Sequence, residues 1–239
     1  MLAVGASLVA DGENLPVPKT NDSKPISLTM PGVAFLEGTA GYQYVVRLPD
    51  NYGQTNRLWP LIVVLHGAIP NANNKMATNY GPMRYAAHHT NFPFMVASPV
   101  TRQGWSVVTL RVFMEGLHQR SLKIDWDRVY LTGESMGGHA TWGWALADPV
   151  RFAALVPICA AGDPRLVQQR LSCTPVWIFH GEKDRVVPVA YGKAMFQALQ
   201  DIGAPVKATF YPDRDHDSWT PAYRTEELYE WLLKQSRPH

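Results

Sequence analysis

One serine in the sequence has the neighbours that expose a nucleophile. Ser135 lies between Gly133 and Gly137, which gives the pattern G-x-S-x-G. Residues 129–132 are strand formers, and the small and apolar residues 136–146 suit a helix. In such a strand-turn-helix the serine backbone is strained, and glycines flank it because larger side chains would collide with the backbone. An ordinary Ser/Gly turn gives the same pattern, so the interpretation depends on partners elsewhere in the chain.

A serine hydroxyl needs a base that takes its proton, and four histidines follow the serine in the chain. His216 comes directly after a predicted strand, where a loop can hold an imidazole over the hydroxyl. His139 is one helical turn beyond the serine and should point along the helix. His180 ends another predicted strand and is expected to shape its loop, and His239 is terminal. We therefore expect His216 to be the base.

The base in turn needs a carboxylate that orients it. Asp184 follows a predicted strand, and its loop ends before a predicted helix. The rival carboxylates are Glu182, Asp213, Asp215 and Asp217. Those beside His216 are expected to be solvated or to form turns. With Asp184 as the acid, the chain order is Ser135, Asp184, His216, which is the order of α/β-hydrolases.

Two backbone amides are candidates for an oxyanion hole. Met136 follows the serine at the start of a predicted helix, where the helix dipole adds to its N–H. Ala68 lies in the loop after the apolar run 61–65, and Gly67 lets the backbone approach closely. His66 is expected to stabilise this loop, and an ordinary strand-ending turn is the alternative.

Three further side chains are candidate substrate-binding residues. Trp105 and Trp219 lie in predicted loops near the site, where aromatic walls suit acyl or aryl groups, and packing under the loops is the alternative. Glu134 would place a carboxylate beside the nucleophile, where it could disfavour anionic substrates. It could instead point to solvent or form an ion pair. Residues 80–82 are additional candidates to border the pocket.

These residues must be brought together by the elements between them. The predicted strands are 42–48, 61–65, 94–98, 129–131, 152–158, 176–179 and 206–210, and the predicted helices are 107–119, 136–146, 189–200 and 225–235. Continuous apolar runs are typical of strands buried on both faces, and their alternation with helices predicts an α/β domain with a mainly parallel central sheet and no large lid. Ligands bind outside the carboxyl ends of such strands, and the main candidates each follow one.

Composition limits the function classes. The chain has 239 residues, 46% of them hydrophobic, and a net charge of +2 without a basic run. This predicts one globular domain over 25–239 after an extended arm at 1–24, and it disfavours a nucleic-acid partner. No apolar run is long enough to span a bilayer. Residues 1–10 could be the remnant of a signal peptide, so both the cytoplasm and secretion stay open.

Neither a metal nor a cofactor is expected. The only adjacent histidines, at 88 and 89, lack further ligands at metal-site spacing, and no glycine loop suits a phosphate. The two cysteines, Cys159 and Cys173, are either buried thiols or a local disulfide.

The motifs together resemble a known family. They are WPL at 59–61 leading to HGA at 66–68, YLTGESMGG at 130–138, WIFHGEKDRVVP at 177–188 and HDSW at 216–219. In these the chain is similar to the α/β-hydrolase-fold esterases often labelled predicted peptidases, relatives of polyhydroxybutyrate depolymerases, feruloyl esterases and the phospholipase/carboxylesterase group. The resemblance covers about residues 42–235. Departures from the family pattern are residues 69–74 and the glutamate inside the elbow.

The resemblance implies a Ser-His-Asp hydrolase of carboxylic esters. The absence of a large lid favours small esters, and we expect short-chain or aryl (feruloyl-like) groups. Carried over position by position, the resemblance implies Ser135 as nucleophile, Asp184 as acid, His216 as base, and the amides of Ala68 and Met136 as oxyanion donors. A serine peptidase on the same fold and a binding protein without catalysis are the alternatives.

Overall fold

The computed structural model describes residues 27–30, 33–37 and 42–237, the first two segments by their backbone alone. The strands are β1 Ser27–Met30, β2 Val33–Glu37, β3 Gln43–Arg47, β4 Trp59–Leu65, β5 Met95–Val100, β6 Ile124–Glu134, β7 Ala154–Ile158, β8 Val176–Gly181 and β9 Val206–Tyr211. The α-helices are α1 Asn74–Ala77, α2 Gly81–Ala87, α3 Val107–His118, α4 Met136–Ala147, α5 Pro164–Arg170, α6 Val189–Asp201, α7 Trp219–Ala222 and α8 Glu226–Leu233. A 3₁₀ turn spans Tyr52–Gln54.

The strands of the described segments form one sheet in the order β1-β2-β3-β5-β4-β6-β7-β8-β9. Strands β4 to β9 run parallel, whereas β1, β2 and β3 are added antiparallel at the β5 edge. The prediction of a mainly parallel α/β sheet is confirmed, and the described residues contain no large lid.

The sheet is covered on both faces because its central strands are apolar at every position. All residues of β4 are buried. Alternate side chains enter opposite layers: Leu61 and Val63 pack with α3 and α4, while Ile62 and Val64 pack with α2 and α8. The predicted helix over 107–119 is confirmed as α3, which has Leu110 among its buried residues.

The expectations for the cysteines, the N-terminal arm and the domain bounds have different outcomes. Both cysteines are free, and Cys159 is buried but Cys173 is exposed, so the expectation of two buried thiols is wrong for the second. The predicted arm at 1–24 lies outside the described residues, and the single domain over 25–239 stays a prediction. Among the described residues no helix has both the length and the apolar character needed to cross a bilayer.

Candidate active site

The turn after β6 holds its serine in a conformation that side chains rarely adopt. Ser135 has φ 49° and ψ −118° and precedes the first residue of α4. A Cβ atom on Gly137 would lie 1.9 Å from the carbonyl oxygen of Leu65, and one on Gly133 would lie 2.5 Å from the backbone of Gly137. The helix therefore starts directly against the end of β4, which only glycine permits.

Three side chains from distant parts of the chain meet at this turn. His216 Nε2 lies 3.0 Å from Ser135 Oγ, and His216 Nδ1 lies 2.8 Å from Asp184 Oδ2. The other carboxylate oxygen, Asp184 Oδ1, accepts hydrogen bonds from the amides of Val186 and Val187 at 2.9 and 2.8 Å. With Nδ1–H donating to the carboxylate, Nε2 is free to accept the serine proton.

The loops after β8 and β9 are packed on each other, which places the acid and the base side by side. A Cβ atom on Gly181 would lie 2.1 Å from the carbonyl oxygen of Asp215, so the two loops are in backbone contact. The amide of Lys183 donates to the carbonyl oxygen of Arg214 at 2.9 Å. Both loops leave the carboxyl ends of neighbouring parallel strands, as the sequence predicts.

The other two histidines of this region are structural. His180 is fully buried and its Nε2–H donates to the carbonyl oxygen of Val187 at 2.8 Å, which fixes the loop that carries the acid. Burial lowers the pKa of His180, so its ring is neutral beside the carboxylate. The Nδ1–H of His139 donates to the carbonyl oxygen of Ser135 at 2.8 Å and thus points at backbone rather than at the hydroxyl.

The two expected oxyanion donors lie on neighbouring strands in matching register. Leu65 at the end of β4 pairs with Gly133 of β6. Ala68 and Met136 each follow a member of this pair by three residues. Met136 is the first residue of α4, where a backbone N–H has no partner inside the helix. Both residues therefore follow the carboxyl ends of neighbouring strands, and the direction of their amides and their contact with an oxyanion stay predictions.

Comparisons with known proteins agree with this geometry. The chain superposes on the structure of a thermostable esterase with a TM-score of 0.70 and 30% identity, over 86% of this chain and 63% of that one. It superposes on the S-formylglutathione hydrolase FrmB of Staphylococcus aureus with a TM-score of 0.67 and 17% identity, over 84% of this chain and 98% of that one. The chain has the α/β-hydrolase fold.

Sequence comparison relates this chain to peptidases as well. Residues 165–238 match the prolyl oligopeptidase family. A probable dipeptidyl-peptidase 5 of Aspergillus terreus is 34% identical over 74 residues, which is 30% of this chain and 8% of that protein. The chain thus spans less than a tenth of the curated relatives that it matches. Its resemblances are to serine hydrolases, both esterases and peptidases.

The glutamate inside the elbow is neither in solvent nor in an ion pair. Glu134 is 3% exposed, and its Oε1 accepts a hydrogen bond from the amide of Gly67 at 2.9 Å. Its Oε2 is buried and has no hydrogen-bond partner among the described residues. Burial raises its pKa well above the ordinary value, the bond from Gly67 opposes this, and the charge of Asp217 adds to it. The raised pKa favours the neutral form of this carboxyl group, which contacts the loop of residues 66–68, and a contact with substrate stays a prediction.

The loop of residues 66–68, which we call the oxyanion loop for its expected role, is fixed by hydrogen bonds of a histidine and a tryptophan. His66 is buried, its Nδ1–H donates to the carbonyl oxygen of Gly67 at 2.7 Å, and its Nε2 accepts from the amide of Thr101 at 3.1 Å. Trp105 Nε1–H donates to the carbonyl oxygen of His66 at 3.0 Å. These contacts match the expected loop-stabilising role of His66 and the packing alternative for Trp105.

Trp219 contacts the expected base of the site. Its ring meets the ring of His216 edge-on, with the ring centres 5.5 Å apart. It also lines a cavity of about 460 Å³, together with Tyr80 and Gly81 of the predicted border region. Sequence reasoning missed Tyr223, another wall of this cavity, because a tyrosine in an amphipathic segment carries no motif.

The triad region also contains a thiol. Ligand atoms of Cys159, Asp184 and His216 lie within 4.8 Å of one another. Burial raises the pKa of the Cys159 thiol to about 12, so the sulfur stays protonated at neutral pH and is a poor metal ligand. The carboxylate and imidazole are hydrogen-bonded to each other, which favours proton transfer over metal binding as the use of this cluster.

Proposed function

We propose that this protein hydrolyses carboxylic esters through an acyl-enzyme formed on Ser135. The observation that carries the proposal is the imidazole of His216, 3.0 Å from the serine hydroxyl and 2.8 Å from the carboxylate of Asp184. That arrangement combines a nucleophile, a base and an orienting acid, which are the parts that acyl transfer requires.

In the first step, Ser135 Oγ attacks the ester carbonyl carbon while His216 Nε2 takes the hydroxyl proton. The amides of Ala68 and Met136 donate to the developing oxyanion, each contributing about 3 kcal/mol. The tetrahedral intermediate collapses as the C–O bond to the alcohol breaks, and His216 gives its proton to that oxygen. Water then attacks the acyl-enzyme while His216 takes a proton from the water. The carboxylic acid product is released as His216 returns that proton to Ser135 Oγ.

Sequence identity supports an ester substrate, because an acylaminoacyl peptidase structure that, like the thermostable esterase, covers 86% of this chain is only 16% identical. The thermostable esterase resembles 86% of this chain at 30% identity, whereas the prolyl oligopeptidase match covers residues 165–238. The aromatic cavity beside Trp219 supports small substrates with a short-chain or aryl group, including feruloyl-like ones. The composition, with a net charge of +2 and no basic run, supports a small-molecule partner rather than nucleic acid.

Removal of the serine hydroxyl tests the proposal. Ser135→Ala should lower the hydrolysis of p-nitrophenyl acetate by at least about 10⁴-fold, because the triad acts as a unit. Ser172→Ala is the matched control, since Ser172 is exposed and forms no part of the triad. Retention of activity in Ser135→Ala, with the melting temperature unchanged, would remove this serine from the mechanism.

A serine peptidase is the second candidate, because the C-terminal part matches the prolyl oligopeptidase family. The p-nitrophenyl ester and the p-nitroanilide of one acyl group separate the two. An esterase should turn over the ester at least about 10³-fold faster in kcat/KM than it does the anilide, since the amide is the harder bond to break. Comparable rates would favour the peptidase.

A further inference from the structure

The cavity beside Trp219 combines aromatic walls with positive charge. Its volume is about 460 Å³, and its walls include Tyr80, Arg84, Tyr85, Trp219, Tyr223 and Arg224. No aspartate or glutamate lines it. A pocket of this size accommodates a single aromatic ring with substituents.

The two guanidinium groups of this cavity are not used inside the protein. Arg84 and Arg224 are exposed, and neither side chain makes an ion pair or hydrogen bond among the described residues. Six arginines elsewhere in the described chain are paired with aspartates: Arg47, Arg111, Arg128, Arg151, Arg165 and Arg237. Unpaired guanidinium groups that share one cavity suit an anion brought by a ligand.

Two acidic groups act on walls of the cavity without lining it. The charge of Glu226 on α8 raises the pKa of Tyr85, and the charge of Glu134 raises the pKa of Tyr223, in each case behind a larger effect of burial. The hydroxyl of Tyr80 is buried and forms no hydrogen bond among the described residues, so an anion in the cavity can reach the two guanidinium groups but not this hydroxyl.

Trp219 belongs both to the wall of the cavity and to the surroundings of His216. Its ring is edge-on to the imidazole, with the ring centres 5.5 Å apart. Tyr223 in the same wall packs edge-on to Tyr80 at 6.5 Å and has its hydroxyl 3.0 Å from Thr132 Oγ1 on β6. The shared tryptophan is the reason to assign the cavity to a group of the ester that reacts at Ser135.

We propose that this cavity binds a carboxylate-bearing aromatic group of the ester substrate. Arg84 and Arg224 pair with the carboxylate, and Trp219 with Tyr85 covers the ring. The assignment rests on the proposed ester hydrolysis, and it names the substrate class of that site.

Two matched pairs of esters test the assignment. The acyl pair is p-nitrophenyl 4-carboxybenzoate and p-nitrophenyl 4-carbamoylbenzoate, which differ in charge but hardly in shape. The alcohol pair is 4-carboxyphenyl acetate and 4-carbamoylphenyl acetate. In one pair the charged ester should have a kcat/KM about tenfold above the neutral ester, since hydrogen bonds to a charged group are worth roughly this factor.

The double variant Arg84→Gln/Arg224→Gln should abolish that preference, so that the charged and the neutral ester of the pair have the same kcat/KM. Arg165→Gln is the control, because Arg165 is exposed and pairs with Asp163. No charge preference in either pair, or a preference that the double variant keeps, would overturn the assignment.

Failure of the proposed function gives a different result, because the neutral esters would then not be hydrolysed either. In that case binding of terephthalate to the Ser135→Ala protein, measured by calorimetry against terephthalamide, tests the cavity alone. Equal binding of the two compounds, or equal binding to the Arg84→Gln/Arg224→Gln variant, would refute the site.

Discussion

At the residue scale, the conformation of the oxyanion loop depends on Glu134, the residue before the nucleophile. Glu134 Oε1 is the acceptor for the buried amide of Gly67, which precedes the expected donor Ala68. Glu134→Gln keeps an oxygen at this position and should retain kcat within about threefold. Glu134→Ala leaves the amide without a partner, and should lower kcat about 10- to 100-fold with little change in KM. Equal activity of the two variants on p-nitrophenyl acetate would contradict this role.

The same residue gives a pH-dependent contribution to stability. Burial raises the pKa of folded Glu134 well above its ordinary value of 4.5, so the folded protein holds a proton that the unfolded chain has released. The free energy of unfolding should therefore fall as pH rises from the ordinary toward the raised pKa. Glu134→Gln lacks this proton, and its stability relative to wild type, measured by urea unfolding, should increase as pH rises above the ordinary pKa of the carboxyl group. Parallel pH profiles of the two proteins would refute the prediction.

The triad was predictable from the sequence and the direction of Glu134 was not. Chain order and position after strands single out Ser135, Asp184 and His216, because these are local signals. The glutamate points at Gly67 because β4 and β6 pair with Leu65 opposite Gly133, and this register is a long-range property. The unpaired arginines of the cavity were missed for the same reason, since pairing depends on what the fold brings near them.

At the scale of elements, the start of α4 is fixed by contact with the end of β4. Gly137→Ala would place a Cβ atom 1.9 Å from the carbonyl oxygen of Leu65, and backbone cannot move aside cheaply there. Gly143 lies in the same helix with nothing within 4 Å of its Cβ position. Gly137→Ala should abolish activity and lower the melting temperature by several degrees or prevent folding.

Gly143→Ala is the matched control, and it should keep full activity and gain up to about 1 kcal/mol in the free energy of unfolding. Thermal melting and p-nitrophenyl acetate hydrolysis check both variants. An active and stable Gly137→Ala protein would show that the turn does not need the close approach of α4 and β4.

Long buried elements were predictable, and short ones were not. Strand β4 is a continuous apolar run and helix α3 has helical periodicity, and the predicted segments 61–65 and 107–119 match them within two residues. Helices α1, α2, α5 and α7 have four to seven residues, too few for a periodic pattern to be distinguished from a turn. Two of these, α2 and α7, carry walls of the cavity, which is why its shape was not foreseen.

At the scale of the whole molecule, the catalytic contacts are separated from the added antiparallel edge. Strands β1 and β2 pair only beyond β3, whereas the triad is carried by β6, β8 and β9. A variant that lacks residues 1–41 exposes the edge of β3, so it should melt at a lower temperature and aggregate more readily. Its kcat should stay within about threefold, because the elbow and the loops after β8 and β9 are unchanged. A folded but inactive variant would contradict this division.

The central claim is that His216 makes the hydroxyl of Ser135 nucleophilic, and reaction with a fluorophosphonate probe tests it most directly. The account predicts one label per chain, located by mass spectrometry on the peptide that contains Ser135. Labelling should be absent in Ser135→Ala and slowed at least about 10²-fold in His216→Ala, because general-base assistance is worth that factor. A label on another residue, or an unchanged labelling rate in folded His216→Ala, would contradict the account.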